Sequence, residues 1–184
     1  MLATAVAPHL FWITSRAAGT AALLLSSAAV ALGLTMGRRL VKGRGPDLRA
    51  VHEALSLATI ATIVVHAVAL LGDSFLHPSV TDIAVPFASG YRRGWTTVGI
   101  VSGWMTLLLG LSFYVRSRIG QARWRRLHRF TALAWVLGLV HALGEGTDAG
   151  QIWFLAATAI VALPAAALLV TRWVGTSSAP APAR

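Results

Sequence analysis

Five long apolar segments dominate this sequence and constrain its fold more than any other feature. A transmembrane helix needs about 20 mostly apolar residues. Five segments are long enough, and they cover about Leu10–Leu34, His52–Leu71, Thr96–Val115, Leu127–Leu143 and Gln151–Trp173. The sequence therefore predicts an all-α fold, a polytopic membrane bundle of about five transmembrane helices, and a multi-pass protein of the cell (inner) membrane.

The five spans use most of the chain, so we assign residues 1–174 to a single membrane domain. Residues 175–184 are rich in Ser, Ala and Pro and are expected to form a disordered C-terminal tail. The longest loop, 73–94, contains several apolar residues and is expected to form a cap on the outer surface of the bundle. Thr147 and Asp148 precede the fifth span and are expected to cap its helix.

Basic residues are concentrated in two of the four loops. The chain has 16 Lys and Arg against 6 Asp and Glu, a net charge of +10. Most of the basic residues lie between spans one and two or between spans three and four: Arg38, Arg39, Lys42, Arg44, Arg49, Arg116, Arg118, Arg123, Arg125 and Arg126. Because Lys and Arg are enriched in cytoplasmic loops, we predict an N-terminus outside and a C-terminus in the cytoplasm. The excess charge then reflects topology in the lipid bilayer, and no nucleic-acid partner is expected.

Histidine is the strongest metal ligand that this chain offers, because it contains no cysteine and six histidines. Four of them form two series: His52 and His66 in the second span, and His128 and His141 in the fourth. Both spans run in the same direction. At 1.5 Å per residue, separations of about 21 Å and about 19.5 Å place the four histidines at two matching depths. Two facing helices would then form two bis-histidine sites of the kind that bind haem iron.

The angular relation of these histidines is less regular. Fourteen residues return to within about 40° of the same helix face, but thirteen leave an offset of about 140°. Helix crossing, a local π-bulge or rotation of the haem would absorb the offset, and the sequence does not distinguish them. A single intramembrane histidine can also simply hydrogen-bond a neighbouring helix. His9 and His77 lie at or beyond span ends and are interpreted as interfacial.

These histidines and their surroundings resemble the ferric reductase-like transmembrane domain family. That family includes the membrane parts of ferric reductases and NADPH oxidases, and the haem subunit of the bacterial methionine sulfoxide reductase system. The resemblance extends over about Phe11 to Val174. Beyond the histidine spacing, it is carried by Trp124–Arg129, by Trp135, by His141–Asp148 and by Arg16 in the first span. The chain is similar to a short bacterial member without further domains.

The resemblance implies that the chain binds two b-type haems and passes electrons across the membrane. Our hypothesis assigns the inner haem iron to His52 and His128, and the outer haem iron to His66 and His141. Arg16 is predicted to bind the cofactor through a propionate, although a backbone carbonyl or the outer headgroups would also satisfy it. Trp135, near the membrane midplane, is predicted to contact the haems either as an electronic bridge or as packing.

The electron donor is expected to be a separate molecule. The 184 residues contain no G-x-G-x-x-G fingerprint and leave no room for a FAD or NAD domain. We therefore predict an oxidoreductase component, without catalytic residues of its own, that takes electrons from a flavoprotein or a quinol. Its outer electron acceptor is left open. Two alternatives stay open as well: a cytochrome b561-like quinol oxidoreductase, and a non-redox transport or scaffold protein whose histidines bind metal or protons.

Overall fold

The fold is a bundle of long helices in a computed structural model that describes residues 9–38, 40–41 and 45–177. Five helical segments are long and apolar enough to cross a membrane, which confirms the predicted all-α, five-span class. Their bounds are Leu10–Gly37, Gly45–Leu70, Arg93–Ile119, Gln121–Glu145 and Ile152–Arg172. Arg39, Lys42 and Arg44 of the basic loops lie outside the described residues.

The spans are built from helices that we number in chain order. They are α1 (Leu10–Gly37), α2 (Gly45–Leu70), α3 (Val80–Ala84), α4 (Arg93–Leu111), a 3₁₀ segment (Ser112–Val115), α5 (Arg116–Ile119), α6 (Gln121–His128), α7 (Thr131–Glu145) and α8 (Ile152–Ser177). Pro164 lies inside α8 without ending it, as is common in membrane helices. Because α8 continues to Ser177, the first three residues of the predicted tail are helical. Residues 178–184 lie outside the described part of the chain.

Helix α1 is the centre of the packing. It contacts α2, α7 and α8, while α4 contacts α7. The buried core between α7 and α8 contains Trp135, Ala162 and Ala165, and α1 contributes small buried residues such as Ala22 and Ala29. Small side chains let membrane helices approach closely. The most extensive helix contacts are those of α1 with α2 and of α4 with α7.

The fourth span is interrupted immediately after His128. Its backbone tightens there: Arg129 N donates to Arg126 O, and Phe130 N donates to Leu127 O. These i→i−3 bonds are 3₁₀-like, and each such residue advances by about 120° instead of about 100°. The break therefore absorbs part of the angular offset between His128 and His141. No π-bulge occurs among the residues described in this span.

The loop between the second and third spans folds over one end of the bundle. Its short helix α3 begins with a capping box, in which Ser79 Oγ and Asp82 bond each other reciprocally. These bonds hold the pKa of the Asp82 carboxyl below its ordinary value. Trp104 Nε1 on α4 donates to Ala84 O at 2.8 Å, which ties the loop to the bundle. We call this end, with the loops 71–92 and 146–151, the acidic end, and the opposite one the arginine-rich end.

Candidate haem sites

The structure brings the four span histidines together as two pairs. The ring centroids of His52 and His128 are 6.2 Å apart, near the arginine-rich end. Those of His66 and His141 are 6.4 Å apart, near the acidic end. We call them the inner pair and the outer pair, following the predicted orientation. His9 and His77 are exposed and belong to neither pair.

Both separations suit two imidazoles on opposite sides of one iron. An imidazole nitrogen binds a metal at about 2.0–2.1 Å and lies about 1.1 Å from its ring centroid, so two imidazoles that shared one metal ion would have centroids up to about 6.3 Å apart. The ring planes within the pairs are inclined by 82° and 71°. The described residues contain no group of three or more His, Cys, Asp or Glu placed to hold a metal ion. Each pair offers two protein ligands, the number that a six-coordinate haem iron takes.

Hydrogen bonds fix the tautomer of three of the four histidines. Nδ1 of His52 lies 3.1 Å from Ala29 O, and Nδ1 of His66 lies 2.9 Å from Ser15 O. A carbonyl oxygen only accepts, so each Nδ1 carries the hydrogen, and Nε2 of the neutral ring keeps its lone pair. Such an Nδ1–H···O=C bond is the usual way in which metal-binding histidines are oriented.

The third bond of this kind belongs to the outer pair. Nδ1 of His141 lies 2.9 Å from Trp95 O on the neighbouring α4. Glu145 Oε2, one turn further along α7, is 3.3 Å from the same nitrogen. The shorter and better directed contact is the one to Trp95 O. The carboxylate therefore lies beside the ligand as a charge rather than as its hydrogen-bond acceptor.

The same three histidines also rest against glycines. A Cβ atom on Gly19 would lie 2.9 Å from His66 Nδ1, one on Gly33 would lie 3.1 Å from His52 Cε1, and one on Gly99 would lie 2.6 Å from His141. Distances below 3.0 Å do not occur for real Cβ atoms, so at Gly19 and Gly99 any larger residue would displace the ring. These glycines provide the space in which the imidazoles lie.

A cavity of about 860 Å³ connects the two pairs and is lined by all four histidines. Its wall is mostly apolar, and its volume is at the upper end of the range for cofactor sites, about 300–1,000 Å³. The mouth at the arginine-rich end includes Arg129 and Arg172, whereas the acidic end includes Asp73, Glu145 and Arg16. An apolar space with ligands at two depths and polar groups at its ends fits flat, largely apolar macrocycles with charged edges.

Arg16 has a protein partner that was not predicted from the sequence. Its guanidinium forms an ion pair with Asp148, with Nε donating to Oδ2 at 2.9 Å and a second nitrogen donating to Oδ1. It also lies 4.3 Å from the ring centroid of Trp12. Asp148 was expected to cap α8, but this was wrong: α8 begins at Ile152, and the buried carboxylate faces Arg16 instead. The need to neutralise an arginine inside the bundle accounts for its position.

Trp135 lies between His128 and His141 in the fourth span, where its ring is packed in the core and also borders the cavity. Its indole is 4% exposed and packs against α8, and it also lines the cavity. Its Nε1 donates to Ser27 Oγ at 2.9 Å. Since Ser27 is completely buried, this bond satisfies the indole N–H where water cannot reach it.

Comparison with known proteins assigns the chain to a family. The family model described as ferric reductase like transmembrane component matches residues 18–139. The match covers most of α1, all of α2 and α4, and α7 as far as Leu139, so it includes three of the four paired histidines. The chain therefore belongs to the ferric reductase-like transmembrane family. No curated protein and no solved structure is significantly similar to it.

Several residues that shape the site were absent from the prediction. Gly33 and Gly99 each lie against a histidine ring, whereas Gly37 and Gly103, four residues further along the same helices, do not. Gly19 carries no signal in a single sequence. Glu145 follows His141 by four residues, which places both on one helix face, and this spacing could have identified it.

Proposed function

We propose that this protein binds two b-type haems and passes electrons across the membrane between a separate donor and an outer acceptor. His52 and His128 are proposed to hold the inner haem, and His66 and His141 the outer one. The observation that carries the proposal is the presence of two histidine pairs, each at the spacing of a bis-imidazole iron site, in one apolar cavity. Family membership supports transmembrane electron transfer.

Haem, when bound, supplies an iron that accepts and releases one electron at a time. The chain's own residues prepare the ligands and the surroundings. The carbonyl oxygens of Ala29, Ser15 and Trp95 accept from Nδ1 of three imidazoles, which leaves Nε2 free to bind a metal and increases the basicity of the rings. The apolar wall keeps water away, which favours transfer between fixed centres over side reactions.

Arg16 and Trp135 are proposed to touch the cofactors as parts of the cavity wall. The ion pair with Asp148 places the guanidinium at the acidic end, where it would meet the polar edge of the outer haem. Trp135 would pack between the two haems, and its bond to Ser27 would keep the indole in one orientation. An electronic role for this ring stays a prediction.

The donor is proposed to be a flavoprotein or a membrane quinol, and the acceptor to lie outside the membrane. The arginine-rich end, which is predicted from the charge pattern to face the cytoplasm, contains the inner pair. The acidic end contains the outer pair beneath the loop 71–92. Electrons would therefore enter at His52 and His128 and leave at His66 and His141.

Absorption spectroscopy of the purified protein tests the proposal. We expect a b-type spectrum that sharpens on reduction with dithionite, and two haems per chain. Two imidazole ligands at each iron would give the ferric protein low-spin EPR signals from both sites. A colourless protein from haem-supplied cells would instead favour a non-redox membrane protein. Reduction by a quinol analogue, compared with reduction by a flavin reductase and reduced flavin, identifies the class of donor.

A further inference from the structure

His128 differs from the other three paired histidines in how its ring is held. Its Nδ1 is buried and has no hydrogen-bond partner among the described residues. No glycine in the described chain lies against its ring as Gly33 lies against His52. His128 is also the last residue of α6 and directly precedes the break in the fourth span.

Trp124 contacts the ring of His128, which lacks these other contacts. It precedes His128 by one helical turn, and the two rings are stacked with centroids 5.0 Å apart and planes inclined by 27°. Its own orientation is fixed from the third span. Trp124 Nε1 lies 3.2 Å from Ser112 Oγ, and the ring of Phe113 meets the indole edge-on at 5.9 Å. The indole of Trp124 is therefore held in place by the third span, and it supports the imidazole of His128 in the fourth span.

This contact has a chemical consequence that a hydrogen bond would not have. A stacked indole restricts rotation of the imidazole about its side-chain bonds, but it accepts no hydrogen from Nδ1. The ring is therefore oriented without the gain in basicity that an Nδ1–H···O=C bond gives. At His128 the imidazole is oriented without becoming more basic. At the other three histidines a single Nδ1 hydrogen bond both orients the ring and makes it more basic.

From this we infer that Trp124 is a positioning residue of the inner site, which holds the imidazole of His128 in its ligating orientation by ring stacking. The inference rests on the proposed function, because it concerns a ligand of the inner haem. It predicts that the inner site needs an aromatic ring at position 124 rather than an apolar side chain of similar bulk.

Two substitutions at this position separate a stacking surface from simple volume. Trp124→Phe keeps a flat ring, and Trp124→Leu keeps an apolar side chain without one. Trp153→Leu is the matched control, since Trp153 lies on α8 at the acidic end and is 53% exposed. In each purified full-length variant we would measure haem per chain, the EPR spectrum of the ferric form and the midpoint potentials.

We expect Trp124→Phe and Trp153→Leu to keep two haems with wild-type EPR signals. Trp124→Leu should lower the haem content from two towards one per chain, and any inner haem that remains should show a shifted EPR signal and midpoint potential. The outer haem should be unchanged, which also shows that the bundle is folded.

Three results would overturn the inference. The first is a Trp124→Leu protein with two haems and wild-type signals. The second is loss of both haems together, which would mark a general structural role. The third is a Trp124→Phe protein as impaired as Trp124→Leu. If the wild-type protein itself contained no haem, the proposed function would fail before this comparison began.

Discussion

The inner and outer histidine pairs have similar internal geometry but opposite surroundings. Their centroid separations differ by only 0.2 Å, from 6.2 to 6.4 Å. In the outer pair both Nδ1 atoms face carbonyl oxygens, and the carboxylate of Glu145 lies 3.3 Å from one of them. In the inner pair only His52 has such a bond, and the cavity wall nearby includes Arg129 and Arg172.

This difference indicates that the two haems would have different reduction potentials. Basic ligands and a nearby carboxylate stabilise ferric iron, whereas nearby guanidinium groups stabilise the reduced form. The apolar wall strengthens both effects, because charges act over longer distances where water is excluded. We therefore expect the inner haem to have the higher potential. An electron leaving the cytoplasm would move uphill between the haems, drawn by a membrane potential that contributes about 2.3 kcal/mol per charge per 100 mV.

Removal of single histidines has the largest expected effect and tests whether two separate sites exist. His66→Ala or His141→Ala should remove the outer haem, and His52→Ala or His128→Ala the inner one, because each iron loses one of its two protein ligands. Haem content should fall from two towards one per chain in every case, and redox titration should show which component is gone. Unchanged haem content in all four variants would contradict the assignment.

The glycines that lie against histidine rings provide a second test, here applied to the outer site. In Gly99→Ala the new Cβ would lie 2.6 Å from ring atoms of His141, whereas in Gly103→Ala it would lie 3.6 Å from Ile63 Cγ2, an ordinary contact. We expect Gly99→Ala to weaken or abolish outer haem binding at an overpacking cost of about 1–3 kcal/mol. Gly103→Ala is the matched control and should resemble the wild type. Similar haem content in the two variants would show that the space at Gly99 is not needed for His141 to bind haem.

Gly33→Ala makes the corresponding change at the inner site. Its Cβ would lie 3.1 Å from His52 Cε1, so the ring needs to give by only a few tenths of an ångström. We expect a smaller loss of haem than in Gly99→Ala, and only from the inner site. Gly37→Ala, where nothing lies within 4 Å of the new atom, serves as its control.

The ion pair at the acidic end provides a prediction about stability. Asp148→Asn removes the charge that neutralises Arg16 and leaves a guanidinium without its partner. Breaking a fully buried pair costs about 3–5 kcal/mol. Because the Arg16 side chain is 35% exposed, water compensates in part, and we expect a loss of about 1–3 kcal/mol. Thermal unfolding in detergent measures it, with Asp47→Asn, an exposed residue at the arginine-rich end, as control. Equal melting temperatures would show that the pair contributes little.

The parts of this architecture that depend on periodicity and length could be predicted from the sequence. Five spans follow from apolar length, and the matching depths of His52 with His128 and His66 with His141 follow from the rise per residue. The break after His128 could not be predicted, because residues 128–131 contain neither proline nor glycine. Neither could the partner of Arg16, since Asp148 is 132 residues away and one of several acids near that end.

The smallest expected effect is that of replacing Glu145, which tests directly why the two haems would differ in midpoint potential. Glu145→Gln removes a negative charge beside His141 while keeping nearly the same shape and the oxygen that accepts from Thr96 Oγ1 at 2.8 Å. Ferric iron at the outer site loses electrostatic stabilisation, so the outer potential should rise by tens of millivolts, on the order expected for one partly screened charge at this distance. The inner potential and the haem content should stay constant. Glu53→Gln is the control for the outer potential, which should not change, because Glu53 is exposed at the arginine-rich end and accepts a hydrogen bond from Tyr114 there. If the difference between the two midpoint potentials does not become smaller in Glu145→Gln, the carboxylate does not determine it. The difference would then have to arise from the Nδ1 hydrogen bond that His128 lacks and from the arginines at the inner end of the cavity.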